Sequence, residues 1–378
     1  MDFNFFEKIK FKQPFRFIDI AVQIGIGGVA VIVVAYWILW GSPTKVEVEQ
    51  SGFRGTGMAQ LEFESELRRL ASVNVMPESE EPWIPEGGEP LARDIYENVQ
   101  VLGNLTEDNF NRLMLAITEW VSPELGCVYC HGDLALEDYG QDNLYTKIVA
   151  RSMLQMTINI NSQWTDHVAE TGVNCYTCHR GQNVPEYLWF EPEPVTTLGP
   201  NSAYQNRPIP IAGYSSMSAR AIQDYLVGDE EIRQLPTMPN QKNDTFGTIQ
   251  STYKNYSLMI HMSESLGVNC TFCHNTRAMS QWDQSPPQRV TAWHGIRMVR
   301  EINNVYLDPL QPVYPPERLG PLGDAPKAMC TTCHQGVNKP LYGASMLKDY
   351  PSLGPAGPLW EGEGPQAMLA RPSAGGDD

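Results

Sequence analysis

Four copies of Cys-x-x-Cys-His use up all eight cysteines of this 378-residue chain, at Cys127/Cys130/His131, Cys175/Cys178/His179, Cys270/Cys273/His274 and Cys330/Cys333/His334. In such a run the two thiols can form thioethers with the vinyl groups of a haem. The adjacent histidine is then held under the ring, where its imidazole ligates the iron. Zinc ribbons, disulfide frameworks and thioredoxin-like pairs also use closely spaced cysteines, but none requires histidine directly after the second one. Only 7 histidines occur in the chain, so finding four of them at that position is not an effect of composition. The sequence therefore predicts four covalently bound haem c groups with His131, His179, His274 and His334 as their first axial ligands. It leaves no cysteine for other work.

Flat apolar macrocycles can organise a core with less regular secondary structure than an ordinary globule needs, and 31 Gly and 29 Pro point the same way. The expected fold class is mainly α with long irregular loops: a multihaem cytochrome c of two pseudo-repeated two-haem units plus one N-terminal transmembrane helix. The first cysteines are 48 residues apart in the N-terminal pair of motifs and 60 apart in the C-terminal pair, with 95 between the pairs. GVNCYTCH at 172–179 and GVNCTFCH at 267–274 are nearly one octapeptide, which suggests an internal duplication. The expected organisation is a cytoplasmic N-terminus (1–20), a transmembrane helix (21–40) and a periplasmic N-terminal arm (41–105). The first two-haem unit (106–184), a Pro-rich connecting segment (185–244) and the second two-haem unit (245–343) come next. A Pro/Gly-rich tail (344–378) closes the chain, its end expected to be disordered. Within the connecting segment at most one short helix is expected, around Ser218 to Val227.

From Ala21 to Trp40 the only strongly polar residue is Gln23, and about 20 apolar residues match a hydrocarbon thickness of roughly 30 Å. Lys8, Lys10, Lys12 and Arg16 precede the stretch, so the positive-inside rule keeps the N-terminus cytoplasmic and exports the chain beyond Gly41. A cleaved signal peptide is the alternative, but the stretch is long for one and no small-x-small site comes after it. The expected location is the inner membrane, crossed once, with the haem domain periplasmic. The net charge is −17, and the first 40 residues contribute +1 of it. Such a surface argues against nucleic acid and favours a basic protein partner, although any single acidic cluster, such as Glu78/Glu80/Glu81, reads more readily as a solvated loop.

Helical periodicity precedes each motif. Thr106 is a plausible N-cap for Phe110, Leu113, Met114, Ile117, Trp120 and Val121, ending at Pro123. Further helices are expected at about Asp142 to Asn161, Phe246 to Leu266 and Gln288 to Val305. The sixth ligand decides whether a haem is a wire or a site for substrate. Met114 lies 13 residues before Cys127 and Met259 lies 11 before Cys270, each on the apolar face of a helix leading into its motif. Each is a candidate iron ligand, and each could equally be a core-filling methionine. Met156, His261 and Met262 are competitors on the same helices, and His294 and Met298 are the candidates nearest in sequence to the fourth motif.

With its anchor, its acidity and its paired motifs, the region from about Leu91 to Gly343 resembles the tetrahaem cytochrome c subunit of purple-bacterial photosynthetic reaction centres. That resemblance implies His/Met ligation of three haems, with the methionines falling on Met114, Met153 and Met259. It also implies a bis-His fourth haem whose second ligand falls on His167. The chain departs from the best-known members in having no cysteine before Cys127 to carry a lipid anchor, so the transmembrane helix must replace that lipid.

The function so implied is electron transfer, not enzymatic chemistry. Electrons pass from a soluble periplasmic donor, a small c-type cytochrome or a high-potential iron-sulphur protein, to the photo-oxidised bacteriochlorophyll pair in the photosynthetic membrane. The resemblance also implies docking on the L and M subunits within the wider reaction-centre and light-harvesting complex. It places the first haem near the donor and the third near the pigments. A membrane-anchored respiratory quinol-oxidising tetrahaem cytochrome is the alternative, although such chains are shorter with tightly spaced motifs. A multihaem oxidoreductase would need a five-coordinate haem.

Overall fold

Periodic apolar sequence becomes helix here and little else becomes regular. The computed structural model describes residues 17–40, 45–52, 57–132, 139–193, 208–233 and 249–355. The basic N-terminal residues, much of the connecting segment and the tail beyond 355 lie outside the described residues. Helix α1 runs Phe17–Trp40. Its 24 residues span about 36 Å at 1.5 Å per residue, long enough to cross a bilayer. Between Val22 and Leu39 its apolar side chains are almost all exposed, which fits a membrane anchor.

The chain divides into two compact units, one of Met1–Val48 with Leu61–Arg68 and the other of Glu49–Gln60 with Arg69–Asp378. A two-stranded sheet of β1 (Val46–Ser51) and β2 (Met58–Phe63) leads directly into α2 (Glu64–Val73). In the first unit Glu64 pairs with Arg68 at 2.7 Å and Lys45 at 3.7 Å, exposed contacts worth under about 1 kcal/mol each.

The second unit holds α3 (Ala92–Ile95), α4 (Glu107–Val121), α5 (Val128–His131), α6 (Tyr145–Gln163), α7 (Thr165–Val168) and α8 (Cys175–His179). After them come α9 (Ile249–Leu266), α10 (Gln288–Glu301) and α11 (Cys330–His334). The four helices expected ahead of the motifs are therefore α4, α6, α9 and α10. Helix α10 continues into a π-turn at Ile302–Leu307. Helix α6 starts at Tyr145, three residues later than expected. The Asp142 carboxylate expected to open it instead binds Arg151 at 2.7 Å and Lys147 at 3.3 Å. The short helix in the connecting segment is one turn at Ala221 running into a π-turn at Gln223–Val227.

Two apolar cores flank α6, which supplies Ile158 to one and Ile160 to the other. The first core joins Leu113, Trp120, Tyr350 and Leu353; the Trp120 and Tyr350 rings meet edge-on at 4.7 Å. The second joins Ile222, Tyr225, Leu258, Val299 and Met329. Residues 344–355, the start of the expected tail, are tied in by buried Met346, Tyr350 and Leu353. Helix α4 packs on α8, α8 on α11 and α11 on α9. The helix ahead of the first motif thus adjoins the second motif, the second motif adjoins the fourth, and the fourth adjoins the helix ahead of the third.

Buried Arg112 of α4 holds arm and tail to this scaffold. It donates to the Glu80 carbonyl at 2.7 Å and the Asp349 carbonyl at 2.5 Å, and lies 4.3 Å over the Tyr350 ring. Hydrogen bonds from a charged donor contribute about 1.5–3 kcal/mol each. Arg112→Met is expected to lower the unfolding free energy by about 2–4 kcal/mol, read as a lower denaturant midpoint at unchanged slope. An unchanged midpoint would show that neither segment depends on this clamp.

Candidate functional site

The two copies of the Gly-Val-Asn-Cys octapeptide owe their likeness to local backbone demands. Gly172 and Gly267 take φ of 62° and 63°. A Cβ on Gly267 would sit 2.2 Å from the Gly336 carbonyl oxygen, so glycine alone fits. Two residues on, the Asn174 and Asn269 side chains accept the N–H of Thr177 (3.2 Å) and Thr271 (3.0 Å) and so start each cysteine-bearing turn. In finer detail the second motif matches the fourth. Both form five-residue helices with threonine in the middle, and both end on a left-handed residue, Arg180 (φ 52°) or Gln335 (φ 48°). The first and third motifs carry an aromatic residue, Tyr129 or Phe272, at the place before the second cysteine.

All eight cysteines are half-buried and none is in a disulfide. Cys178 and Cys333 lie with Sγ atoms 3.0 Å apart, where α8 meets α11. Burial pushes the Cys130 and Cys273 thiols up to about 11 and those of Cys175 and Cys330 to about 12. Such an environment disfavours the thiolates a zinc site needs and suits neutral thioethers.

The imidazoles are oriented by backbone carbonyls. Nδ1 of His179 lies 2.9 Å from the Gln182 oxygen, that of His274 2.9 Å from Met279, that of His334 3.0 Å from Val337 and that of His167 2.9 Å from Thr291. A carbonyl can only accept, so Nδ1 carries the proton and Nε2 keeps its lone pair for a metal. His131 differs. Its Nδ1 lies near the Tyr139 backbone without closing a hydrogen bond of ordinary geometry. Burial lowers the pKa of all five rings, that of His334 to about 4, keeping them in the neutral form that ligates.

A cavity of about 1500 Å³ runs between these elements, larger than the roughly 300–1,000 Å³ of a small-molecule site. The residues lining it include Met114, Met153, His131, His167, His179, His334 and the cysteines Cys127, Cys130, Cys175, Cys178, Cys273 and Cys333. Met259, Cys270, His274 and Cys330 do not line it, and Met259 packs half-buried against the core beside α10. The His167 and His334 rings lie with centroids 6.0 Å apart and planes inclined at 71°. A metal–imidazole bond is about 2.0–2.1 Å, so an ion between two Nε2 atoms sets the ring centres about 6 Å apart. The residues present fit a haem iron there. His294, nearer in sequence, is instead turned to Asp166 at 3.8 Å and stacks edge-on with Trp293. His261 faces the Ile211 carbonyl at 3.0 Å.

A sequence pattern passed over by spacing alone distinguishes Met114, Met153 and Met259 from the neighbouring methionines Met156 and Met262. Met114-Leu-Ala-Ile-Thr118, Met153-Leu-Gln-Met-Thr157 and Met259-Ile-His-Met-Ser263 share one pattern: Met, Leu or Ile, any residue, Ile or Met, then a hydroxyl. The hydroxyls of Thr118 and Thr157 donate to the Met114 and Met153 carbonyls at 2.9 and 2.8 Å, a local bond that can bend a helix at that turn. Met156 and Met262, four residues before Ile160 and Leu266, lack the hydroxyl. Helix α10 has no copy of the pattern.

Among known proteins, the family model described as photosynthetic reaction centre cytochrome C subunit matches residues 41–354. The photosynthetic reaction center cytochrome c subunit of Roseobacter denitrificans is 48% identical over 363 residues, covering 93% of this chain and 97% of that protein. Proteins of the same description are 42% identical in Rubrivivax gelatinosus (89% of this chain, 91% of that one) and 43% in Thermochromatium tepidum (86% and 79%).

Proposed function

The chain belongs to the photosynthetic reaction centre cytochrome c subunit family, and from that premise we propose that it carries four haem c groups which re-reduce a reaction centre's photo-oxidised pigment pair. Cys127/Cys130, Cys175/Cys178, Cys270/Cys273 and Cys330/Cys333 attach the haems. Their irons are held by His131 with Met114, His179 with Met153, His274 with Met259, and His334 with His167. Bound haem supplies the one-electron chemistry, and the protein's part is to orient, bury and ligate it. The adjacent His167 and His334 rings, each with Nδ1 on a carbonyl, are the observation that carries this reading.

Electrons enter at the first haem from a soluble donor, a c-type cytochrome or a high-potential iron-sulphur protein. They leave by the third, against the L and M subunits. The packing of α4, α8, α11 and α9 supports the route first, second, fourth, third. Such a route would pass through a haem held by His334 and His167, and two imidazole ligands would set it lower in potential than its neighbours held by histidine and methionine, other factors being equal. The matching detail of the second and fourth motifs supports two pseudo-repeated two-haem units. Helix α1 anchors the subunit with its haem domain on the periplasmic side. No bond-making chemistry is assigned to it, and the respiratory alternative is not favoured by relatives that are reaction-centre subunits along almost their whole length.

Flash excitation of isolated membranes tests the proposal: haem absorbance should bleach as the pigment pair is re-reduced. Flash-oxidised pigment that recovers with no haem signal would overturn it. With a net charge of −17, the rate of association with a basic donor cytochrome is expected to fall as salt is raised through about 0.1 M, where the Debye length is about 10 Å. A salt-independent rate would point to an apolar docking patch instead.

A further inference from the structure

Gly295 occupies the middle of α10, where glycine costs about 0.5–1 kcal/mol relative to alanine. Its backbone is ordinary right-handed helix and makes no demand for glycine. What lies against it does: a Cβ on Gly295 would stand 2.5 Å from Cε1 of His167, 2.8 Å from Nδ1 and 3.1 Å from Nε2. One turn earlier on the same helix face, the Thr291 carbonyl takes the His167 Nδ1–H at 2.9 Å. Helix α10 precedes the fourth motif but lacks the methionine pattern of α4, α6 and α9. In its place stands a bare Cα with another segment's imidazole lying on it.

We propose that Gly295 is a positioning residue for the sixth ligand of the fourth haem: its missing side chain makes the groove that seats His167 opposite His334. The proposal rests on the reading of His167 as that ligand. Thr291 and Gly295 act together, the carbonyl holding one edge of the ring and the bare Cα admitting its face. With Nδ1 held by the carbonyl, Nε2 is the nitrogen left for the iron.

The test is Gly295→Ala in the full chain, assembled in its membrane, beside His167→Ala. Gly295→Ala is expected to shift or abolish the low-spin ferric EPR signal of the bis-imidazole haem and to let carbon monoxide bind one haem of the reduced protein. The remaining haems should keep their midpoints. Alanine is the better helix former, so a merely structural role for residue 295 would leave the signal in place and the protein no less stable. If His167→Ala abolishes the signal but Gly295→Ala leaves it unchanged, the positioning proposal fails while the ligand reading stands. If His167→Ala itself leaves the signal untouched, the ligand reading fails and takes the proposal with it. Should Gly295→Ala not accumulate, the double variant decides. Recovery once the ring is removed supports the steric role, and failure of the double variant where His167→Ala alone accumulates overturns it.

Discussion

A chain expressed without haem attachment is expected to be unfolded. The cavity between the motifs amounts to about 1500 Å³, and an unfilled cavity costs about 24 cal/mol per Å³ in a protein core. Even a third of that space left dry would cost about 12 kcal/mol, against a net stability of about 5–15 kcal/mol for a folded domain. Water could relieve part of the cost, yet Ile117, Val121, Val149, Leu154 and Ile160 on the walls offer it no hydrogen bonds. The macrocycles are therefore expected to act as core side chains. Far-UV circular dichroism of the haem-free chain should show little helix and no cooperative melt, while the haem-loaded chain melts cooperatively. A haem-free chain with native helix content and a sharp transition would refute the idea that the cofactors are its core. Loss of one attachment pair, as in Cys330→Ala/Cys333→Ala, removes a share of the filling comparable to the whole stability. It is expected to prevent accumulation.

The second large effect is electronic. Met259→His should lower the midpoint potential of the third haem by on the order of 0.1–0.2 V, a fraction of the roughly 0.8 V that axial ligands span. A thioether opposite histidine raises the potential of a haem, whereas a second imidazole donates more charge and stabilises the ferric iron. At 59 mV per tenfold for one electron, such a drop shifts the redox equilibrium of that haem by about fiftyfold or more. A spectroelectrochemical titration reads the change directly. The control is Met262→His one turn away, which lacks the hydroxyl four residues on and should move nothing. If the Met262 variant shifts the potential and the Met259 variant does not, the ligand has been misassigned and the shared pattern carries no information.

Much of this was legible in the residues because it is local. Cysteine, cysteine and histidine lie within five positions, so one turn of chain places them, whatever surrounds it. The apolar stripes of α4, α6, α9 and α10 and the apolar run of α1 are likewise properties of short windows. The start of α6 is less legible, because an acidic residue ahead of an apolar stripe looks like a helix opening. Asp142 is spent instead on Arg151 and Lys147. The three-fold methionine pattern is also local and readable, though only when the helices are compared with one another.

The fourth site shows where local reading stops. Distance along the chain favours His294, one turn from Met298 on the helix ahead of the motif. The fold instead brings His167 across 124 residues to the Thr291 carbonyl and sets its ring against Gly295. The same holds for the meeting of the second and fourth motifs, where α8 packs on α11 across more than 150 residues of chain. The amino-acid sequence by itself determined where the Cys-x-x-Cys-His motifs lie and which face of each helix is apolar, because those depend on neighbours a few positions away. Only the tertiary structure decided which imidazole lies beside His334 and which motifs adjoin. Those choices depend on close packing between segments more than a hundred residues apart, where a single missing Cβ determines what can fit.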